Sequence, residues 1–299
     1  MKKVNIDFLC IGAQKTGTSW LWNNLRQNKE IWLTPRKELH YFDRSLRYPS
    51  PSFLATNFFL KRLLSHQEQD KHFRLKAKTE LKQAFKSKNK ENILWHLKYF
   101  LGTYDDDWYR SLFEKGKDKV SGEMTPAYSI LEVKDIKKIK SLFPNLKIIL
   151  ILRDPIERAW SQIRFYMTRN EFDEKSDLEQ IKEYIDSPMQ SLRSDYVNMI
   201  HNWNQVFGQE KLHICFYDDI QTKPEVFLKN IAQFLKVSNN FNHNFITKKV
   251  NVSIKKDIPK SIEYYLANKY LEELNELSKI VPIYPQKWLN RCKKVLDDN

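Results

Sequence analysis

The chain has 299 residues, with 51 Lys+Arg against 37 Asp+Glu and a formal net charge of +14. At 41% hydrophobic and 13% aromatic residues it holds ample apolar material for a core, which excludes a disordered chain. Cys10, Cys215 and Cys292 are too few and too scattered for a disulfide framework or a cysteine zinc site, and no run approaches the roughly 18 apolar residues of a membrane span.

In chain order, Val4 to Ile11 reads as a short buried strand. The charged start, Met1-Lys2-Lys3, runs through Asn5 and Asp7 into a glycine loop rather than a cleavage site, so a secretory signal is not expected and a cytoplasmic protein is. A helix is predicted from Thr18 to about Gln27, with Trp20, Leu21, Trp22 and Leu25 as its apolar positions. Residues 34–52 hold three prolines and read as irregular. Residues 57–101 lack proline and glycine, are rich in Leu, Lys, Gln and Glu, and read as largely helical. A short helix near Asp106 to Glu114 precedes Lys147 to Leu152 (KIILIL), the uninterrupted apolar strand of a sheet covered on both faces. Asp154 and Pro155 then supply an N-cap and a first helical residue. Helices follow near 177–186 and 190–206, a strand at Lys211 to Phe216, and helices at Pro224 to Leu235 and Lys260 to Lys279. Strands alternating with helices predict an α/β fold with a central, mostly parallel sheet flanked by helices. No repeat or linker divides the chain, so one domain over residues 1–299 is expected, with a basic helical insertion at about 57–101.

The positive excess points towards a polyanionic partner: nucleic acid, a phosphorylated cofactor, an acidic glycan or a membrane surface. Residues 57–101 supply +7 of it, with eleven Lys/Arg against four Asp/Glu, either as a solvated helical face or as a surface for an anionic acceptor. Glycine is scarce, six in all, yet Gly12 and Gly17 fall within one loop, Gly12-Ala13-Gln14-Lys15-Thr16-Gly17-Thr18-Ser19. Between a strand and a helix, backbone N–H groups and the positive helix end make such a loop an anion cradle. The Gly-x4-Gly spacing matches a nucleotide P-loop, but that motif needs Lys directly after the second glycine, where this chain has Thr18. The strand KIILIL ends in Arg153 rather than in a metal-binding Asp, which argues further against a nucleotide kinase. Arg153 at a strand's carboxyl end suits a bidentate phosphate contact, or equally an ion pair with Asp154 or Glu157.

FLCIGAQKTGTSWLWNNL resembles the 5′-phosphosulfate loop of sulfotransferases that use 3′-phosphoadenosine-5′-phosphosulfate (PAPS). KIILILRDPIERAWSQI is similar to that family's 3′-phosphate element, a strand followed by Arg-x7-Ser, here Arg153 and Ser161. ELHYFD from Glu38, DWY from Asp107, GEMTPAY from Gly122 and VNVS from Val250 extend the resemblance along nearly the whole chain, with the flavour of the heparan-sulfate and bacterial glycan-type branch. The resemblance implies a P-loop-like three-layer fold and transfer of a sulfuryl group from PAPS to a hydroxyl or amine of a small-molecule or glycan acceptor, leaving adenosine 3′,5′-bisphosphate. No metal is required by that scheme, and no nucleic-acid partner is implied. Gln14, Lys15, Thr16, Gly17, Thr18 and Ser19 would hold the phosphosulfate, with Lys15 at the leaving oxygen. Arg153 and Ser161 would hold the 3′-phosphate, and Lys255 and Lys256 would close over the nucleotide. Glu38 matches the branch's catalytic glutamate, and His40 is the rival general base. One departure stands out: relatives of the heparan type often carry Lys where this chain has Met124. A non-catalytic polyanion-binding protein is the competing reading of the same charge.

Overall fold

Five short strands form one sheet in the computed structural model, which describes residues 5–49, 56–168, 178–247 and 256–298. They are β1 (Phe8–Gly12), β2 (Ile31–Leu33), β3 (Val120–Met124), β4 (Lys147–Leu152) and β5 (Leu212–Phe216), in the order β2-β3-β1-β4-β5, with every neighbouring pair parallel. Side chains alternate between faces along each strand. Phe8, Cys10, Ile149 and Ile151 therefore pack on one side with Trp20, Leu21 and Leu25 of the helix Thr18–Leu25 and with Phe227 and Ile231 of Pro224–Leu235. Leu9, Ile11, Ile148 and Leu150 pack on the other with Ile156 and Trp160 of Pro155–Met167 and with Tyr196 and Trp203 of Tyr196–Phe207. Helices on both faces of a parallel sheet give the three layers the sequence predicts.

Two strands escape the sequence reading. β2 is only three residues long, and β3 (VSGEM) carries a glycine and a buried glutamate. Gly122 is required there because a Cβ would meet Phe8 O and the Phe8 ring at 2.6 Å, where β3 lies against β1. The stretch expected as one helix at 190–206 is two, Pro188–Ser194 and Tyr196–Phe207, because the Asp195 side chain turns to accept from Asn198 N and caps the second. Asp154 caps Pro155–Met167 as predicted, accepting from Ile156 N at 2.9 Å. A C-terminal helix, Tyr284–Asp297, is a further addition; its Arg291 bridges Asp154, Glu157 and Glu263.

The basic segment is helical, as Phe59–Leu64, Glu68–Lys86 and Lys90–Leu101. Trp95, Tyr99, Tyr104 and Trp108 are buried in the core with Phe73 and Phe100, so they anchor this arm. No helix among the described residues is long and apolar enough to cross a membrane.

Candidate active site

The glycine loop leaves the carboxyl end of β1, the edge where parallel sheets place ligands. Gly12 and Gly17 have φ of 139° and 89°, and a Cβ on Gly17 would lie 2.8 Å from Ile220 Cδ1. Only glycine fits both the conformation and the space. Ala13 N donates to Ile151 O at 2.8 Å and Thr16 Oγ1 to Ala13 O at 2.7 Å, which curls the loop under the helix Thr18–Leu25. That helix has no side-chain cap and no acidic residue in its first turn, so its first N–H groups face the loop as an anion cradle. Gln14, Lys15, Gly17 and Ser19 are partly buried, and Thr16 and Thr18 are buried.

Arg153 is tied into this loop across the sheet. Its Nη1 donates to Lys15 O at 3.1 Å, Nη2 lies 3.5 Å from Glu157, and the guanidinium stands 4.4 Å over the Tyr217 ring. The ion pair that the sequence allows is made with Glu157, and the same guanidinium touches the loop. The Lys15 ammonium stands 4.2 Å over Phe165, one turn beyond Ser161 on the same helix. Ser161 is buried. Trp160 Nε1 donates to Lys256 O at 2.8 Å, which brings the Lys256 backbone onto the helix carrying Ser161; its side chain is exposed. Lys255 and the VNVS stretch lie outside the described residues. Arg158, which reads from sequence as a solvated helix residue, is fully buried instead, held by Ser194 Oγ and Gln190 Oε1.

Glu38 and His40 sit on a braced turn in which both have left-handed φ, 64° and 56°. Residues with side chains hold that conformation only when the surroundings enforce it. Here Glu38 N donates to Met124 O at 3.0 Å and Leu39 N to Thr125 Oγ1 at 3.0 Å and Glu123 Oε2 at 3.3 Å. Leu39 O accepts from Tyr99 Oη at 3.2 Å, and Tyr41 N donates to Tyr128 Oη at 2.8 Å. Glu123, buried at the end of β3, is the hub of these contacts, and Tyr109 Oη donates to it at 2.6 Å. Its burial outweighs those donors and pushes its carboxyl up to about 7.

The turn presents Glu38 between two cations. Its Oε1 accepts from Lys37 Nζ at 3.0 Å, and its Oε2 lies 3.6 Å from His40 Nε2, whose Nδ1 is 2.7 Å from Asp43 Oδ2. Burial alone would raise the Glu38 carboxyl, but the His40 hydrogen bond and the Lys37 charge outweigh it and hold it down at about 2. Burial would lower His40, yet the Asp43 charge and the bonds to Asp43 and Glu38 push it up to about 9. At neutral pH these shifts make Glu38 the ionised member of the pair and His40 the protonated one.

Lys37 is the site residue the sequence reading did not assign. Its Nζ also donates to Ser19 Oγ at 3.0 Å and Thr18 Oγ1 at 3.2 Å, so one ammonium spans the cradle and the carboxylate. Its sole signal in the sequence is adjacency to Glu38. Next along the chain, Tyr41 and Phe42 line a recess of about 410 Å³ with Arg44, Arg47, Tyr104, Asp105, Asp106, Asp135 and Lys138 among others; Lys37, Glu38 and His40 are not part of its lining.

The model of the sulfotransferase family matches residues 7–241. Among solved structures, a sulfotransferase from Alicyclobacillus acidocaldarius superposes with a TM-score of 0.64 at 19% identity, covering 95% of this chain and 98% of that one. The sulfotransferase domain from the curacin biosynthetic pathway gives a TM-score of 0.52 at 16% identity, covering 99% of each chain. Among curated proteins, none matches the sequence significantly.

Proposed function

The chain belongs to the sulfotransferase family, and from that premise we propose that it moves a sulfuryl group from PAPS to a hydroxyl of a glycan-like acceptor. The observation that carries the reading is the separation of the two halves of the site: a single ammonium bridges the ionised Glu38 and the hydroxyls of Thr18 and Ser19 at the cradle. A proton acceptor thus stands one side chain away from an anion cradle.

In this reading Gln14 to Ser19 hold the phosphosulfate, with Lys15 turning from Phe165 to the leaving oxygen, and Arg153 and Ser161 hold the 3′-phosphate. Lys255 and Lys256 close over the nucleotide. The acceptor oxygen forms a bond to sulfur as the bond from sulfur to the 5′-phosphate oxygen breaks. That oxygen keeps the electron pair, the acceptor proton passes to Glu38, and adenosine 3′,5′-bisphosphate leaves. Catalysis is then mostly positioning and charge stabilisation, as in phosphoryl transfer. His40, already protonated and held by Asp43, orients Glu38. The recess beyond Tyr41, lined by three cations and three carboxylates, suits a polyhydroxylated acceptor, and the exposed lysines of the arm favour an anionic one. We read the chain as one sulfotransferase domain with this arm as an insertion.

Incubation with PAPS radiolabelled in sulfur and a panel of sugars and acidic oligosaccharides should transfer label to at least one acceptor. Adenosine 3′,5′-bisphosphate should raise Tm more than ATP with Mg²⁺ does. No transfer and no selective stabilisation would leave a polyanion-binding protein as the better reading.

A further inference from the structure

The position of Lys37 raises a chemical question. An ammonium has three N–H donors, and this one spends them on Thr18 Oγ1, Ser19 Oγ and Glu38 Oε1 at 3.2, 3.0 and 3.0 Å. The contact with Glu38 counts against the proposed base, because a cation that lowers the pKa of a carboxylate also lowers its appetite for a proton. The contacts with the two hydroxyls lie at the uncapped end of the helix Thr18–Leu25, where an anion would bind. The ammonium is therefore shared between a carboxylate that must be released and a cradle that will receive negative charge.

We propose that Lys37 is a donor-gated catalytic residue: it neutralises Glu38 while the cradle is empty, then turns to the sulfuryl oxygens of the bound donor and leaves Glu38 free to take the acceptor proton. The proposal rests on the sulfotransferase reading above. Three features of the site permit the exchange. The Lys37 side chain is a flexible four-carbon stem with 18% of its surface exposed, so its charge can shift without moving the backbone. The Glu38 backbone is fixed to Met124 O at 3.0 Å. Glu38 also has a second partner, His40 Nε2 at 3.6 Å, that keeps the carboxylate oriented when Lys37 departs. Since Met124 is a buried apolar residue packed with Trp20 and Leu21, it supplies no charge at the end of β3, and Lys37 brings one to the cradle from the neighbouring loop.

The exchange has a reciprocal consequence. If the donor's sulfuryl group and Glu38 compete for one ammonium, each weakens the hold of the other. Removing the Glu38 charge should then tighten PAPS binding and leave adenosine 3′,5′-bisphosphate, which has no sulfuryl group, unaffected.

The test uses the full chain, first showing label transfer by the wild type; failure there would sink the functional reading and not this inference alone. With transfer established, Lys37→Met should lower kcat about a hundredfold or more while the Kd of adenosine 3′,5′-bisphosphate changes less than about threefold. In the same variant the acid limb of kcat/KM should move up towards the ordinary carboxyl range, and Lys37→Arg should recover part of kcat. Glu38→Gln should bind PAPS several-fold more tightly than wild type with the bisphosphate unchanged, a readout that needs no turnover. Wild-type kcat in Lys37→Met overturns the proposal. So does a loss of kcat with an unmoved acid limb, which would make Lys37 a plain sulfuryl ligand. If Lys37→Met fails to fold, the two affinities of Glu38→Gln decide alone, and equal changes in both overturn it.

Discussion

The cradle and the basic arm both display cations, but they hold them in opposite ways. At the cradle the cations are sheltered and make contacts: Arg153 bonds Lys15 O with its side chain 12% exposed, and Lys37 spends all three N–H groups at 18%. On the arm, Lys71, Lys76, Lys78, Lys82 and Lys86 are all exposed, and ion pairs such as Lys71 with Glu68 are surface contacts of little net energy. Sheltered cations bind specific oxygens at contact distance, whereas solvated ones act through a field that salt screens within about 10 Å. On the proposed reading, the count of +7 over 57–101 overstates the arm's part in binding, and the small net charge of the loop understates the loop's own. The two regions touch where Tyr99 donates to Leu39 O and where Glu80 pairs with Arg36, so the arm also braces the turn that carries Glu38.

Glu38→Gln should give the largest effect. General-base loss is worth about 10²–10⁴ in rate, so kcat measured by label transfer should fall by that order with bisphosphate affinity near wild type. Arg153→Ala comes next. Removing its charge-assisted contacts should weaken adenosine 3′,5′-bisphosphate by about 1.5–3 kcal/mol in calorimetry. Adenosine 5′-phosphosulfate, which lacks the 3′-phosphate, should lose much less; equal losses would mean that the arginine only supports the loop.

Tyr99→Phe tests whether the arm supports the site. It deletes one bond, so stability should fall by about 1 kcal/mol in chemical denaturation, and kcat should drop with little change in acceptor KM. A change in KM alone would separate the arm from the catalytic turn.

His40 sharpens the same boundary through pH. Its folded-state value of about 9 lies above the ordinary 6.5, so its protonated form stabilises the fold fully below about pH 6.5, and that share is lost as pH rises through 9. Activity should show an alkaline limb near 9, and both the limb and the stability loss should be absent in His40→Asn. An acid-side limb near 6.5 that vanishes in this variant would make His40 the base.

The smallest effect belongs to the arm's charge. Replacing Lys76, Lys78 and Lys82 by Glu should raise KM for an anionic acceptor in a way that salt suppresses, and leave PAPS affinity and kcat nearly unchanged. An unchanged KM would reduce these lysines to a solvated face.

The sequence by itself determined β1, β4, β5 and the glycine loop, because each is a local pattern, whereas the pairing of that loop with Arg153 came from the resemblance. An apolar run such as KIILIL declares a strand covered on both faces, and two glycines in a chain that otherwise avoids them declare a backbone constraint. Glu38, ahead on the motif, and His40, its rival, were legible as candidates for the base, but not the charge that each carries. That depends on Asp43 and Lys37 at contact distance, which push one group up and hold the other down. β3 was hidden because its glycine and glutamate break the apolar signal, and both are explained only by what packs on them: Phe8 against Gly122, Tyr109 and Leu39 N against Glu123. Arg158 reads from sequence as a solvated helix residue, yet tertiary packing buries it against Ser194 and Gln190. Lys37 shows the reason most plainly. Adjacency to Glu38 is written in the sequence, but its reach to Thr18 and Ser19 exists only because the β1 loop and the Glu38 turn fold to one edge of the sheet.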